Sequence, residues 1–147
     1  MHQRNLRDHR NSESGDGRAM EQSGVGGGFR RLMVWQQAMS LAKECYLLTK
    51  PFPREEQFGL TSQIRRAAVS IPANIAEGSA RGSAREFSRF LRIAGGSLRE
   101  LETYLLMIVD LGLSTEDRVA PLMRQLESAS RLLQRLQKSQ NELPAEG

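Results

Sequence analysis

Residues 83–110 read Ser83-Ala84-Arg85-Glu86-Phe87-Ser88-Arg89-Phe90-Leu91-Arg92-Ile93-Ala94-Gly95-Gly96-Ser97-Leu98-Arg99-Glu100-Leu101-Glu102-Thr103-Tyr104-Leu105-Leu106-Met107-Ile108-Val109-Asp110. The apolar residues Phe87, Phe90, Ala94, Leu98, Leu101, Leu105 and Ile108 return every three or four positions, the period of one helix face. Ser83 followed by Glu86 is a capping-box start, and Asp110-Leu111-Gly112 ends the segment. A stretch this long with a helical period and no period-two alternation makes the chain all-α.

The flanking sequence extends this reading. Downstream, Ser114-Thr115-Glu116-Asp117 opens a second helix, with acids in the first turn where the helix dipole favours them. Its stripe is Val119, Leu122, Leu126, Ala129, Leu133 and Leu136. Upstream, Leu60, Ile64, Ala67 or Ala68, Ile71 and Ile75 mark another helix, with Gly78 as its expected C-cap. Pro72 lies inside it and predicts a kink, or a restart with Ser70 as a local N-cap. Before that, Leu32, Trp35, Met39, Ala42, Tyr46 and Thr49 form the stripe of a first helix, which Pro51-Phe52-Pro53 stops. The connections Pro51–Glu55, Ser79–Gly82 and Gly112–Leu113 are short, and short connections between long helices make antiparallel neighbours. The expected fold is an up-down-up-down antiparallel four-helix bundle over residues 29–139.

Residues 1–28 are polar and glycine-rich, with only Leu6, Met20 and Val25 as large apolar residues. Such a composition does not offset the entropy of ordering, so 1–28 is expected to be a disordered tail and 140–147 a frayed one. Met20 is an alternative start. The first 28 residues carry no net charge and the last eight carry −2, so the whole basic surplus lies in 29–139, with 17 basic and 11 acidic residues. Only Lys43, Lys50 and Lys138 are lysines; the other basic residues are arginines. Arginine is the better bidentate partner of phosphate.

The composition excludes much chemistry. Both histidines, His2 and His9, sit in the N-terminal segment, and Cys45 is the lone cysteine. The body therefore lacks a histidine-based triad, a Cys/His zinc site, an intrachain disulfide and the Glu-x-x-His pairs of di-metal bundles. No catalytic residue and no cofactor is expected. Cys45, beside the first stripe, is expected to be a buried, inert thiol. Ser70, Asn74 and Glu77 cluster near Pro72, where they are expected to satisfy backbone groups rather than to form an active site. The longest uninterrupted run of large apolar residues is Leu105–Val109, far short of a membrane span of about 20 residues. With no apolar leader at the N-terminus, the chain reads as soluble and cytoplasmic.

The sharpest feature is basic. Arg81, Arg85, Arg89, Arg92 and Arg99 are spaced four, four, three and seven along the third helix, opposite its apolar stripe. Arg124, Arg131, Arg135 and Lys138 add a basic face to the fourth helix, and Arg65 and Arg66 lie on the second. Like charges at i,i+4 repel, so the stripe suggests an anionic counterpart. It would also serve as a salt-bridging face towards another subunit, or as a plain solvated face. Aromatic residues are only 5 % of the chain, which serves base stacking poorly, so backbone and shape recognition of RNA or RNA/DNA is the expected mode.

Two further features suggest self-association. The third helix is apolar nearly all round at Leu105–Val109, leaving Leu106, Met107 and Val109 in need of cover. Gly95 and Gly96 interrupt its middle, at about 1 kcal/mol each relative to alanine, which suggests a close approach by another helix. The resulting expectation is a non-enzymatic, oligomeric scaffold that binds nucleic acid. The alternative is a protein–protein adaptor with no direct nucleic-acid role.

The run Leu60-Thr61-Ser62-Gln63-Ile64-Arg65-Arg66-Ala67-Ala68-Val69-Ser70-Ile71-Pro72-Ala73-Asn74-Ile75-Ala76-Glu77-Gly78 resembles the signature of the four-helix-bundle proteins encoded in intervening sequences of bacterial 23S ribosomal RNA genes. Arg89-Phe90-Leu91 and Gly96-Ser97-Leu98-Arg99-Glu100-Leu101-Glu102 are similar to that family's second motif. Phe29 through Trp35 and the Phe52-Pro53…Glu56 loop fit its first. The resemblance covers roughly residues 29–138. It departs from the family pattern at Gly95, where a basic residue is expected. The resemblance implies a bundle that assembles as a ring-shaped homopentamer. It also implies kinship with the accessory variability protein of diversity-generating retroelements, which binds nucleic acid and a reverse transcriptase. Fold-level kinship does not settle activity.

Overall fold

The computed structural model describes residues 27–144, so the expectations for 1–26, including the Met20 start, and for 145–147 lie outside the described residues. Four helices follow one another: α1 (Met33–Thr49), α2 (Leu60–Ser79), α3 (Ala84–Asp110) and α4 (Glu116–Asn141). Short 3-10 turns occupy Gly28–Arg31 and Arg54–Glu56, so Gly28, the last residue of the segment read as a tail, lies in a turn. Each helix packs against two neighbours, in the closed order α1, α2, α3, α4 and back to α1. This is the expected up-down-up-down bundle.

Local chemistry explains the ends. Ser83 Oγ accepts from the Glu86 amide at 3.2 Å, and Thr115 Oγ1 accepts from the Arg118 amide at 3.3 Å, giving α3 and α4 side-chain N-caps. After α3, Leu113 N donates to Ile108 O at 2.9 Å and Gly112 N to Val109 O at 3.0 Å. This is a Schellman turn, and Gly112 at φ +74 supplies the left-handed residue it requires. α4 runs to Asn141, two residues into the segment expected to fray.

The buried face of α3 contains Phe90, Leu91, Ala94, Leu98, Leu101, Leu105 and Ile108, and that of α4 contains Val119, Leu122, Leu126, Ala129 and Leu133. Both match their sequence stripes. α2 buries Ile64, Ala67, Ala68, Ile71, Pro72 and Ile75, but it is one uninterrupted helix, with no restart at Pro72. Gly78 is not its cap. The helix continues through Ser79, and Gly78 is the point where α2 and α3 come closest: a β-carbon built on it would lie 2.6 Å from Phe90 Cβ and 2.9 Å from Phe87 Cδ2. Nor does Ser70 act as a cap. Its hydroxyl meets Ser97 Oγ of α3 at 2.8 Å, and Asn74 Nδ2 donates to both Ser70 O and Ser70 Oγ at 2.7 and 2.9 Å.

α1 is turned from its expected face. The core takes Val34, Ala38, Leu41, Ala42, Cys45 and Thr49, whereas Met39 and Tyr46 are exposed and Trp35 is half-buried. α1 carries two overlapping apolar stripes, and the one with the smaller residues lets it pack closer. The bulkier set lines a surface groove with Val69 and Pro72 of α2, and Trp35 sits edge-on to Phe29 with ring centroids 5.3 Å apart.

Cys45 is fully buried, and desolvation with the Glu44 charge pushes its thiol from an ordinary 9.0 up to about 12. A raised thiol favours the protonated native state. As pH rises from 9.0 towards 12 the unfolded chain loses this proton first, so stability falls across that window and is unaffected by the group below it. A thiol reagent at mildly alkaline pH should label Cys45 only after denaturant is added; prompt labelling of the native protein would contradict its burial.

Candidate nucleic-acid interface

The arginines of α3 divide into two groups. Arg81 and Arg89 turn towards α2 and clasp the Phe90 ring, their guanidinium carbons 5.1 and 4.7 Å from its centroid. Arg81 also pairs with Glu77 at 2.8 Å and Arg89 with Glu86 at 3.4 Å. Glu77 thus serves this pair rather than the backbone around Pro72. Arg85, Arg92 and Arg99 stand on the α4 side. Seven residues are just short of two turns, so these three form a nearly straight line with about 10.5 Å of rise between neighbours. Arg99 pairs with Glu102 at 2.6 Å; among the described residues Arg85 and Arg92 make no ion pair.

α4 carries a second such line. Arg124, Arg131 and Lys138 are also seven apart and exposed, with Arg135 beside them. Three observations set the register of the antiparallel pair. Ser88 Oγ donates to Asn141 Oδ1 at 3.0 Å, a β-carbon on Gly95 would lie 3.6 Å from Leu133 Cδ2, and Leu106 shares a cleft with Met123. In that register Lys138 stands nearly level with Arg92 and Arg131 nearly level with Arg99, while Arg85 and Arg124 extend beyond at the two ends. The two lines therefore run side by side, cation beside cation, along one outer face of the bundle. The acids near this face are Glu102, Glu127 and, at its far end, Asp110 and Glu116.

Arg65 and Arg66 do not join this face. Both lie on α2, which is diagonal to α4 and makes no contact with it. Arg65 Nε donates to buried Thr49 Oγ1 at 2.9 Å, and its guanidinium stacks 4.6 Å from the Tyr46 centroid, clamping α2 to α1. Arg66 hydrogen-bonds Gln63 on its own helix.

The candidate contact residues of α3 fare differently from one another. Leu106 is 54 % exposed, Met107 is exposed and Val109 half-buried. Among the described residues nothing lies within 4 Å of a β-carbon built on Gly96, and Gly95 has only ordinary contact with Leu133, so no described helix makes the close approach expected there. Among the described residues no three His, Cys, Asp or Glu side chains gather at metal-binding distance, and no helix is long and apolar enough to cross a membrane.

Sequence reasoning took Ser83 only as a helix cap and passed over Ser88, Gln140 and Asn141 as site residues; with Arg85 and Arg92 they surround a cavity where α3 begins and α4 ends. Ser88 lies off the apolar stripe of α3 and is buried by α4, so the helical period gave no signal for it.

The model of the 23S rRNA-intervening sequence protein family matches residues 30–135. The chain belongs to this family. The match takes in all of α1, α2 and α3 and most of α4, including every arginine of the two lines. None of the curated proteins matches the sequence. Among solved structures, a Bacteroides thetaiotaomicron protein at 1.70 Å, described as being of unknown function and from the S23 ribosomal protein family, superposes with a TM-score of 0.65. The two are 23 % identical over 71 % of this chain and 98 % of that one, a likeness of fold alone.

Proposed function

We propose that this member of the family is a non-enzymatic, cytoplasmic, oligomeric scaffold that binds RNA or RNA/DNA along the outer face of α3 and α4. The observation that carries the reading is the pair of basic lines that run side by side, Arg85, Arg92, Arg99 on one helix and Arg124, Arg131, Lys138 on the other. Two antiparallel lines of cations on rigid helices match a polyanion of regular charge spacing better than a globular acidic patch. With few exposed aromatics, contacts would go to phosphate and sugar rather than to bases, so sequence preference would be weak. An enzyme that works on nucleic acid, such as a reverse transcriptase, is the partner to which such a scaffold would present its cargo.

Self-association fits the same reading, because repeating the basic face in a closed ring raises the local potential and makes binding multivalent. Leu106 and Met107 are exposed apolar residues of α3 available for it. Leu106→Glu should lower the mass of the assembly while leaving helicity intact; an unchanged mass would remove Leu106 from the interface.

The test is titration with a labelled structured RNA over a salt series. For Z neutralised phosphates the slope of log K against log salt is about −0.7Z for single strands and −0.9Z for duplex DNA. A slope steeper than about −3 is expected. No binding even at low salt would overturn the reading and favour the protein–protein adaptor.

A further inference from the structure

The basic face ends in a cavity. α3 starts and α4 finishes side by side, and between them lies a hollow of about 560 Å³ walled by Arg85, Arg92, Ser83, Ser88, Gln140 and Asn141. That volume is within the range of about 300–1,000 Å³ typical of small-molecule sites. Among the described residues no carboxylate lines it. Glu86 is paired with Arg89, Glu142 is exposed and is not part of the lining, and Glu146 lies outside the described residues.

Its wall is built rather than incidental. Ser88 is only 4 % exposed, and its hydroxyl donates to Asn141 Oδ1 at 3.0 Å, tying the last turn of α4 to the first turns of α3. With the carbonyl oxygen of Asn141 so occupied, its amide group is left to donate. Arg92 Nη1 approaches the same Ser88 hydroxyl at 3.5 Å, which steadies the guanidinium at the cavity edge. Arg85 stands seven residues away and, among the described residues, has no ion-pair partner. The polar groups around the hollow are thus two guanidiniums, amides and hydroxyls, beside the apolar Ala84, Leu143 and Pro144, and the formal charges among the described lining residues are positive.

We infer that this cavity binds a terminal phosphate monoester of a nucleic-acid strand whose backbone lies along the α3/α4 lines. The inference rests on the nucleic-acid reading above and adds to it a distinction between a strand's end and its interior. An internal phosphodiester carries a single charge, and along the lines each cation is separated from the next on its helix by about 10.5 Å of rise. A monoester carries about −1.5 to −2 at neutral pH and offers three acceptor oxygens. Arg85 and Arg92 are themselves neighbours on the α3 line, but there they border one hollow together with further donors and, among the described residues, no carboxylate in its lining. Bidentate arginine contacts to phosphate are the strong, geometrically selective kind. The cavity also lies at the end of the lines, where a strand threaded along them would present its terminus.

The test uses the full chain and a single-stranded RNA of about 12 nucleotides, long enough to follow both lines, with either a 5′-phosphate, a 3′-phosphate or hydroxyls at both ends. Fluorescence anisotropy at fixed salt should show one of the phosphorylated strands binding about tenfold tighter than the hydroxyl strand. Arg92→Gln, Arg85→Gln and Ser88→Ala should each reduce that preference towards unity. Arg131→Gln should weaken all strands equally and keep the preference. Ser88 is buried, so far-UV circular dichroism accompanies its variant, and the exposed Arg85 supplies the check if Ser88→Ala unfolds. Equal affinity for phosphorylated and hydroxyl ends would overturn the inference and leave the backbone reading standing. Absence of binding to every strand would overturn both. Inorganic phosphate or a mononucleotide that matches the strand's affinity would overturn the assignment to a strand end in favour of a free phosphate ligand.

Discussion

Replacing Arg85, Arg92 and Arg131 together by glutamine should leave the bundle folded and lower the affinity for RNA about a thousandfold near physiological salt. All three side chains are exposed, and none is engaged in an ion pair among the described residues, so their loss breaks no ion pair there. The glutamines keep the helix-favouring straight-chain stem. On a strand with hydroxyl ends Arg85 and Arg92 share no terminal phosphate, so each charge-assisted contact is worth roughly tenfold in affinity and the three act nearly independently. The salt slope should become shallower by about 2, one phosphate per arginine at about 0.7 each. Arg65→Gln provides the contrast. Arg65 clamps α2 to α1 through Thr49 and Tyr46, so that variant should cost stability and leave the salt slope unchanged. If the triple variant binds RNA with the parental slope, the α3/α4 lines are not the nucleic-acid face.

The architecture was legible because α2, α3 and α4 each bear a single dominant apolar stripe, and a single stripe has one buried solution. α1 was not, since its two overlapping stripes differ in bulk, and choosing between them requires the neighbour. Bulk favours Trp35, Met39 and Tyr46; the face with Val34, Ala38, Leu41 and Cys45 is free of the polar N–H and O–H of Trp35 and Tyr46 and, with Ala38 and Cys45, allows closer approach, and it is the one buried. The basic residues show the same limit. Spacing placed Arg81, Arg85, Arg89, Arg92 and Arg99 on one stripe, but the drift of about 20° per heptad and the attraction of Phe90 split them. The cavity was hidden for a different reason. It joins residues 53 apart, Ser88 and Asn141, and no local pattern carries that information.

Gly78 does not have the capping role expected of it, and Gly78 and Gly96 give a pair of opposite predictions. Gly78, expected to end α2, is where a β-carbon would meet Phe90 Cβ at 2.6 Å, and that atom is fixed to the α3 backbone and has no rotamer by which to withdraw. Gly78→Val should therefore force α2 and α3 apart, at a cost of about 3 kcal/mol and a Tm lower by about 10 °C. Gly78→Ala should cost less, because the gain of about 1 kcal/mol in helix propensity offsets part of the clash. Gly96, expected to sit against another helix, has nothing within 4 Å in the protomer. At Gly96 the propensity gain stands alone, so Gly96→Ala should raise stability by about 0.5–1 kcal/mol. Denaturant melts of both variants, followed by far-UV circular dichroism at low protein concentration, read the two signs directly. Unchanged stability of Gly78→Val would contradict the α2/α3 packing. If Gly96→Ala instead lowers both stability and the mass of the assembly, the helix missing from Gly96 in the protomer is supplied by a neighbouring subunit, and the two glycines perform the same task at different levels of structure.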